Sequence, residues 1–190
     1  ELPFHDCDEN GDIAAVLSDE NNNNNNVTPS EAPDDIFDIF KNKGLHFIHI
    51  NARSMFNKLS EIQYIAKKTK PAIISITETW LDESHTNNSI LIEGYKIVRR
   101  DRLTHGGGVC MYINEKLKHN NREDLQNQTL EDLWIELLLP HTKPIIVGTC
   151  YRAPNNSNAS ACLESTLDQI PADSDSILLG DFNYCLLKKK

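Results

Sequence analysis

The feature that most restricts this chain is a series of short apolar, β-branched runs, each of five to eight residues, that begins at residue 45. LHFIHIN (45–51), AIISIT (72–77), YKIVRR (95–100), GVCMYI (108–113), LWIELLL (133–139), PIIVGTCY (144–151) and SILLG (176–180) read as strands. A membrane-crossing helix needs about 20 apolar residues in a row, and no run here approaches that. Two stretches follow a helical period instead. After Ser54, read as an N-cap, Met55, Leu59, Ile62, Ile65 and Ala66 share one face, and Lys67, Lys68 and Lys70 close the helix before Pro71. Leu163, Leu167 and Ile170 mark a second helix over 160–170. Many strands with two spaced helices make an α/β domain. Two stacked sheets with helices outside, or one doubly wound sheet, would both accommodate this order, and periodicity does not choose between them.

The net charge of −9 divides unevenly. Residues 1–43 hold 11 acidic and 2 basic residues, while residues 44–190 hold 17 of each, so all of the acidity belongs to the first segment. That segment also carries six consecutive asparagines (21–26) and few apolar residues, and is expected to be a disordered acidic leader, with one domain over 44–190. The five cysteines show no CxxC pair and read as reduced thiols. With no basic-then-apolar stretch at the start, an intracellular protein is expected. The histidines are scattered: His46 and His49, three apart, fall on different strand faces and form no metal set.

Polar residues at strand ends are the functional signal. Asn51, Glu78 and Tyr151 close or follow three strands, and Asp181 and Asn183 follow a fourth. Strand ends gather at one edge of a sheet, where loops build a polar site on a rigid base. Gly106–Gly108 is no phosphate cradle, because Val109 and Cys110 stand where such a loop needs Lys and Ser or Thr; it reads as a hairpin turn.

The blocks HINARSMFNKLSEI, ITETWL, GYKIVRRDR with HGGGVCMYI, DLWIEL, GTCYRAPN and LLGDFN resemble, in order, those of the endonuclease/exonuclease/phosphatase superfamily. NARS, TETWL, RRDR–GGGV and YRAPN are similar to the apurinic-type endonuclease of Jockey- and chicken-repeat-type non-LTR (LINE-like) retrotransposons. The likeness spans residues 44–183. It implies a two-sheet α/β sandwich with a cleft at one rim, incomplete at the C-terminal end, since the family's SDH-like block with its Asp–His pair is absent.

It also implies roles. Glu78 would be the principal ligand of Mg²⁺ (or Mn²⁺), with Asn51 in the metal and phosphate shell; one or two carboxylates suffice for such an ion. Asp181 would orient or deprotonate the attacking water, Asn183 would hold the phosphate or that water, and Tyr151 would donate its hydroxyl to the scissile phosphate. Arg53 and Arg152 would contact backbone phosphates. The expected partner is DNA, the expected location the nucleus, and a reverse transcriptase domain would accompany the chain in the full-length element. Three functions stay open: a nicking endonuclease fragment lacking full activity, a phosphatase or phosphodiesterase of inositol phosphates or phospholipids, and a non-catalytic gene remnant.

Overall fold

A computed structural model describes Phe37 and residues 40–184. Along the chain run β1 (Phe47–Asn51), α1 (Leu59–Thr69), β2 (Ile73–Thr77), β3 (Tyr95–Arg100), β4 (Val109–Asn114), β5 (Lys118–Asn121), β6 (Glu131–Leu138), β7 (Ile145–Tyr151), α2 (Ala159–Leu167) and β8 (Asp175–Asp181). They form two four-stranded sheets, ordered β1-β2-β4-β3 and β5-β6-β7-β8. The stacked-sheet alternative is the one the chain adopts. Each sheet combines one parallel pair, β1 with β2 and β7 with β8, with antiparallel partners. Each parallel pair is joined through a helix, so the sandwich contains two βαβ units, one per sheet.

The period of two explains how both sheets find partners. From the first sheet Ile73, Val109, Met111 and Ile113 face Leu133, Ile135, Leu137 and Val147 of the second, forming the core between them. The alternate residues Ile74, Ile76, Cys110 and Tyr112 face outward and are covered by Ile62 and Ala66 of α1 together with Leu81, Ile90 and Ile92. On the second sheet Trp134 and Ile146 meet Leu163 of α2. At the rim Arg100 of β3 pairs at 2.7 Å with the fully buried Asp132 of β6, which also accepts the indole N–H of Trp134 at 2.9 Å. Burial holds the Asp132 carboxyl above its ordinary range against these partners.

Three local readings change. The helix expected from Ser54 starts as a 3₁₀ turn over Met55–Lys58 and becomes α-helical at Leu59. Ser54 itself is left-handed (φ 81°) and makes no side-chain cap, because the chain must first bend away from β1. β5, sequence KHNN, was not expected from its polar residues; main-chain pairing with Leu138–Ile135 of β6 creates it. Most of the segment expected to be a disordered leader lies outside the described residues. Of that segment, Phe37 meets the Tyr64 ring edge-on at 6.2 Å, and Phe40 meets His46 at 5.3 Å. No helix among the described residues is long and apolar enough to cross a membrane.

Candidate active site

The C-terminal ends of the two parallel strand pairs lie at the same rim. Asn51 ends β1, Glu78 follows β2, Tyr151 ends β7 and Asp181 ends β8, with Tyr151 and Asp181 in register as neighbours. Asn51 joins the halves. Its Nδ2 donates to Glu78 Oε1 at 3.1 Å and to Asp181 Oδ2 at 2.5 Å, so carboxylates from both sheets meet at one neutral amide. Its Oδ1 is buried without a hydrogen-bond partner, as is Oγ1 of Thr77, the residue beside it in the β1–β2 register. Buried oxygens left unsatisfied are costly. With two carboxylates alongside, they suit a hard cation that takes oxygen ligands. No three His, Cys, Asp or Glu side chains among the described residues are gathered to hold a metal by themselves.

Glu78 is held in a strained turn. It and Trp80 both have left-handed backbones (φ 50° and 54°), uncommon for residues with side chains. Four hydrogen bonds fix them: Ser54 N to Glu78 O (3.0 Å), Met55 N to Thr79 O (2.9 Å), Thr79 N to Gly108 O (3.2 Å) and Trp80 N to Gly107 O (2.9 Å). The glycine segment is the end of the β3–β4 hairpin, as its sequence suggested, and it is also a brace for the TETW turn. At Gly108 (φ 82°) a Cβ would lie 2.5 Å from Thr79 Oγ1, so no other residue allows this approach. From the other sheet, Glu131 accepts the Gly108 N–H and pairs with Arg102 at 2.6 Å.

The second half is arranged differently. Tyr151 is nearly buried, and burial with Glu78 and Asp181 alongside raises its hydroxyl far above the ordinary phenol range. It keeps its proton at neutral pH and is available as a hydrogen-bond donor. Asp181 Oδ1 accepts the Asn183 backbone N–H at 3.0 Å, while Asn183 Nδ2 donates to Arg152 O at 2.7 Å. Asn183 thus braces Asp181 first. Arg152, expected to reach a phosphate, is turned inward instead: it is buried, donates to Asn183 O at 3.0 Å and lies over the Tyr184 ring. Its place just past the paired ends of β7 and β8, where its own N–H donates to Asp181 O at 2.9 Å, accounts for this. Arg53 is exposed at the rim in a left-handed conformation.

One layer deeper, a polar chain crosses between the sheets. Thr149 Oγ1 donates to Ser75 Oγ at 3.0 Å, and His49 Nδ1 lies 3.1 Å from the same hydroxyl. Burial keeps the His49 imidazole below its ordinary range, against the pull of Asp181. Neither this layer nor Thr77 and Glu131 was picked out from the sequence. The signal was the strand period: His49 stands two before Asn51, Thr149 two before Tyr151. A cavity of about 370 Å³ opens beside Tyr151, walled by Arg102, Thr129, Glu131, Asn155 and Asn156.

This sandwich is shared with solved structures of low sequence identity. The endonuclease domain of TRAS1, a telomere-specific non-LTR retrotransposon, matches with a TM-score of 0.57 at 14% identity, over 74% of this chain and 59% of that one. The human Nocturnin catalytic domain with bound sulfate anion matches at 0.58 and 12%, over 73% and 64%. The AP endonuclease LMAP from Leishmania major matches at 0.56 and 17%, over 72% and 54%. The chain therefore spans about three-fifths of the length of these relatives. No curated protein matches the chain in sequence. The class that the fold defines is that of two-sheet α/β sandwiches. Within it, the chain belongs to the Endonuclease/Exonuclease/phosphatase family, whose model matches residues 45–187.

Proposed function

We propose that the chain carries the metal- and phosphate-binding part of a DNA-nicking endonuclease of the non-LTR retrotransposon kind, in one domain starting near Gly44. The observation that carries this is Asn51, whose amide joins Glu78 to Asp181 while its own oxygen is left open. Glu78 and Asn51 Oδ1 would hold Mg²⁺ or Mn²⁺, which supplies charge neutralisation to the phosphate. Asp181, braced by Asn183 and Arg152, orients the attacking water and takes its proton. Tyr151, held protonated, donates to the non-bridging phosphate oxygen as negative charge builds there. Arg53, exposed beside Asn51, contacts the flanking backbone. DNA as substrate draws support from the NARS, TETWL and YRAPN blocks and from the solved relatives: TDP2 complexed with single-strand DNA product, and NExo bound to a product DNA hairpin. A nuclear location and a reverse transcriptase partner follow from the same reading.

The test is Mg²⁺-dependent conversion of supercoiled plasmid to nicked circles, with an inositol-phosphate release assay alongside. Nicking that Glu78→Gln lowers by about a hundredfold or more supports the proposal. Release of phosphate from the inositol substrate without nicking would replace it with the phosphatase reading, and wild-type-like nicking by Glu78→Gln would remove Glu78 from the site.

A further inference from the structure

The chain has two tryptophans with opposite fates: Trp134 is 1% exposed in the second sheet, while Trp80 is 38% exposed at the rim. Burial gives Trp134 an obvious structural purpose, and it gives none to Trp80. The fold also spends backbone strain on Trp80, whose left-handed φ is maintained by the Gly107 carbonyl. The indole stands edge-on to His105 at 5.2 Å, and Gly106 passes close to its Nε1. One residue, Thr79, separates it from Glu78, on the same four-bonded turn. A residue so fixed, exposed and near the candidate cation site has the attributes of a contact.

Its surroundings select the kind of partner. His105 and Gly106 adjoin the indole and the Arg102 side chain lies beside Gly107, so polar groups stand next to the ring. A lipid surface or an apolar protein face would need a contiguous apolar patch of a few hundred Å². A nucleobase needs only one π-face, with polar groups at its edge, and stacks on such a platform without regard to sequence.

We infer that Trp80, set by His105 and the Gly106–Gly108 segment, is the platform on which an unstacked base next to the scissile phosphate rests. This rests on the nucleic-acid reading of the site and extends it: the strand is engaged with a base turned out of its stack, and single-stranded or locally opened DNA is preferred to closed duplex.

Because Trp134 is buried, nucleic acid can alter tryptophan emission directly only through Trp80. The experiment titrates the full chain with a short oligothymidylate and with a closed duplex, in Ca²⁺ to suppress cleavage, and follows emission and anisotropy of a labelled strand. Quenching by the single strand, and binding weakened about tenfold in Trp80→Ala but largely restored in Trp80→Phe, are expected. Unchanged Trp134 emission and melting temperature in the variants establish that the fold is intact. Binding with no change in emission, or equal affinity for Trp80→Ala, overturns the platform while leaving the nuclease reading in place. Absence of binding to either DNA by the wild-type chain overturns both.

Discussion

In the β1–α1–β2 unit every residue of β2 is buried, and α1 lays Ile62, Ala66 and Thr69 against the sheet; in β7–α2–β8 the helix buries only Ala159 and Thr166, and β8 runs from exposed Asp175 to partly buried Asp181. The connectivity is the same and the finish is not. Among the described residues β2 has a strand on each side, whereas β8 ends its sheet. The two candidate carboxylates therefore sit on supports of unequal stiffness. Glu78 is held by a strained turn with hydrogen bonds from two segments, while Asp181 depends on Asn183, Arg152 and its contact with Asn51. A split site of this kind takes its precision from the better-buried half and extends it across the cleft through one amide.

Substitutions can break this contrast or sharpen it. Ile62→Ala removes a fully packed side chain of α1 and should cost about 2–5 kcal/mol in urea unfolding. A loss under about 1 kcal/mol would mean that the first unit is less tightly finished than described. Gly180→Ala acts on the second unit by steric conflict, since a Cβ there overlaps the Cys150 carbonyl across β7–β8. Overpacking of this sort should cost about 1–3 kcal/mol, and it should lower cleavage by more than the stability loss explains, because Asp181 is the next residue. Stability loss with wild-type cleavage would show that Asp181 does not depend on that strand register. Leu167→Ala, at a position 40% exposed on α2, should change stability by no more than about 0.5 kcal/mol, measured the same way. A loss as large as that of Ile62→Ala would make the two units equals.

The sequence disclosed much of this and concealed particular parts for physical reasons. The apolar runs gave seven of the eight strands, because burial on a pleated surface demands them. β5 stayed hidden because KHNN is paired by its backbone and buries almost nothing. Asn51, Glu78, Tyr151 and Asp181 were legible because strand ends are where polar residues lack a packing reason. Ser75 and Thr149 were not, since a lone hydroxyl inside an apolar run looks like tolerated polarity until the facing sheet supplies its partner. Glu131 looked like a surface charge at a strand start; only the fold brings the Gly108 amide and Arg102 to it. Arg152 shows the converse, an arginine in a site motif that the parallel pairing of β7 and β8 takes inward.

The central claim is that the Asn51 amide joins a carboxylate from each half, Glu78 as the ligand of a single cation site and Asp181 as the base beside it. Mn²⁺ binding, followed by the loss of the free-ion EPR signal on titration with the chain, tests this without requiring turnover. One site per chain is predicted, weakened by about tenfold or more in Glu78→Gln and much less in Asp181→Asn, with melting temperatures near that of the wild type. Binding that survives Glu78→Gln unchanged would contradict the account, because the cation would then lie elsewhere than at Glu78 and Asn51.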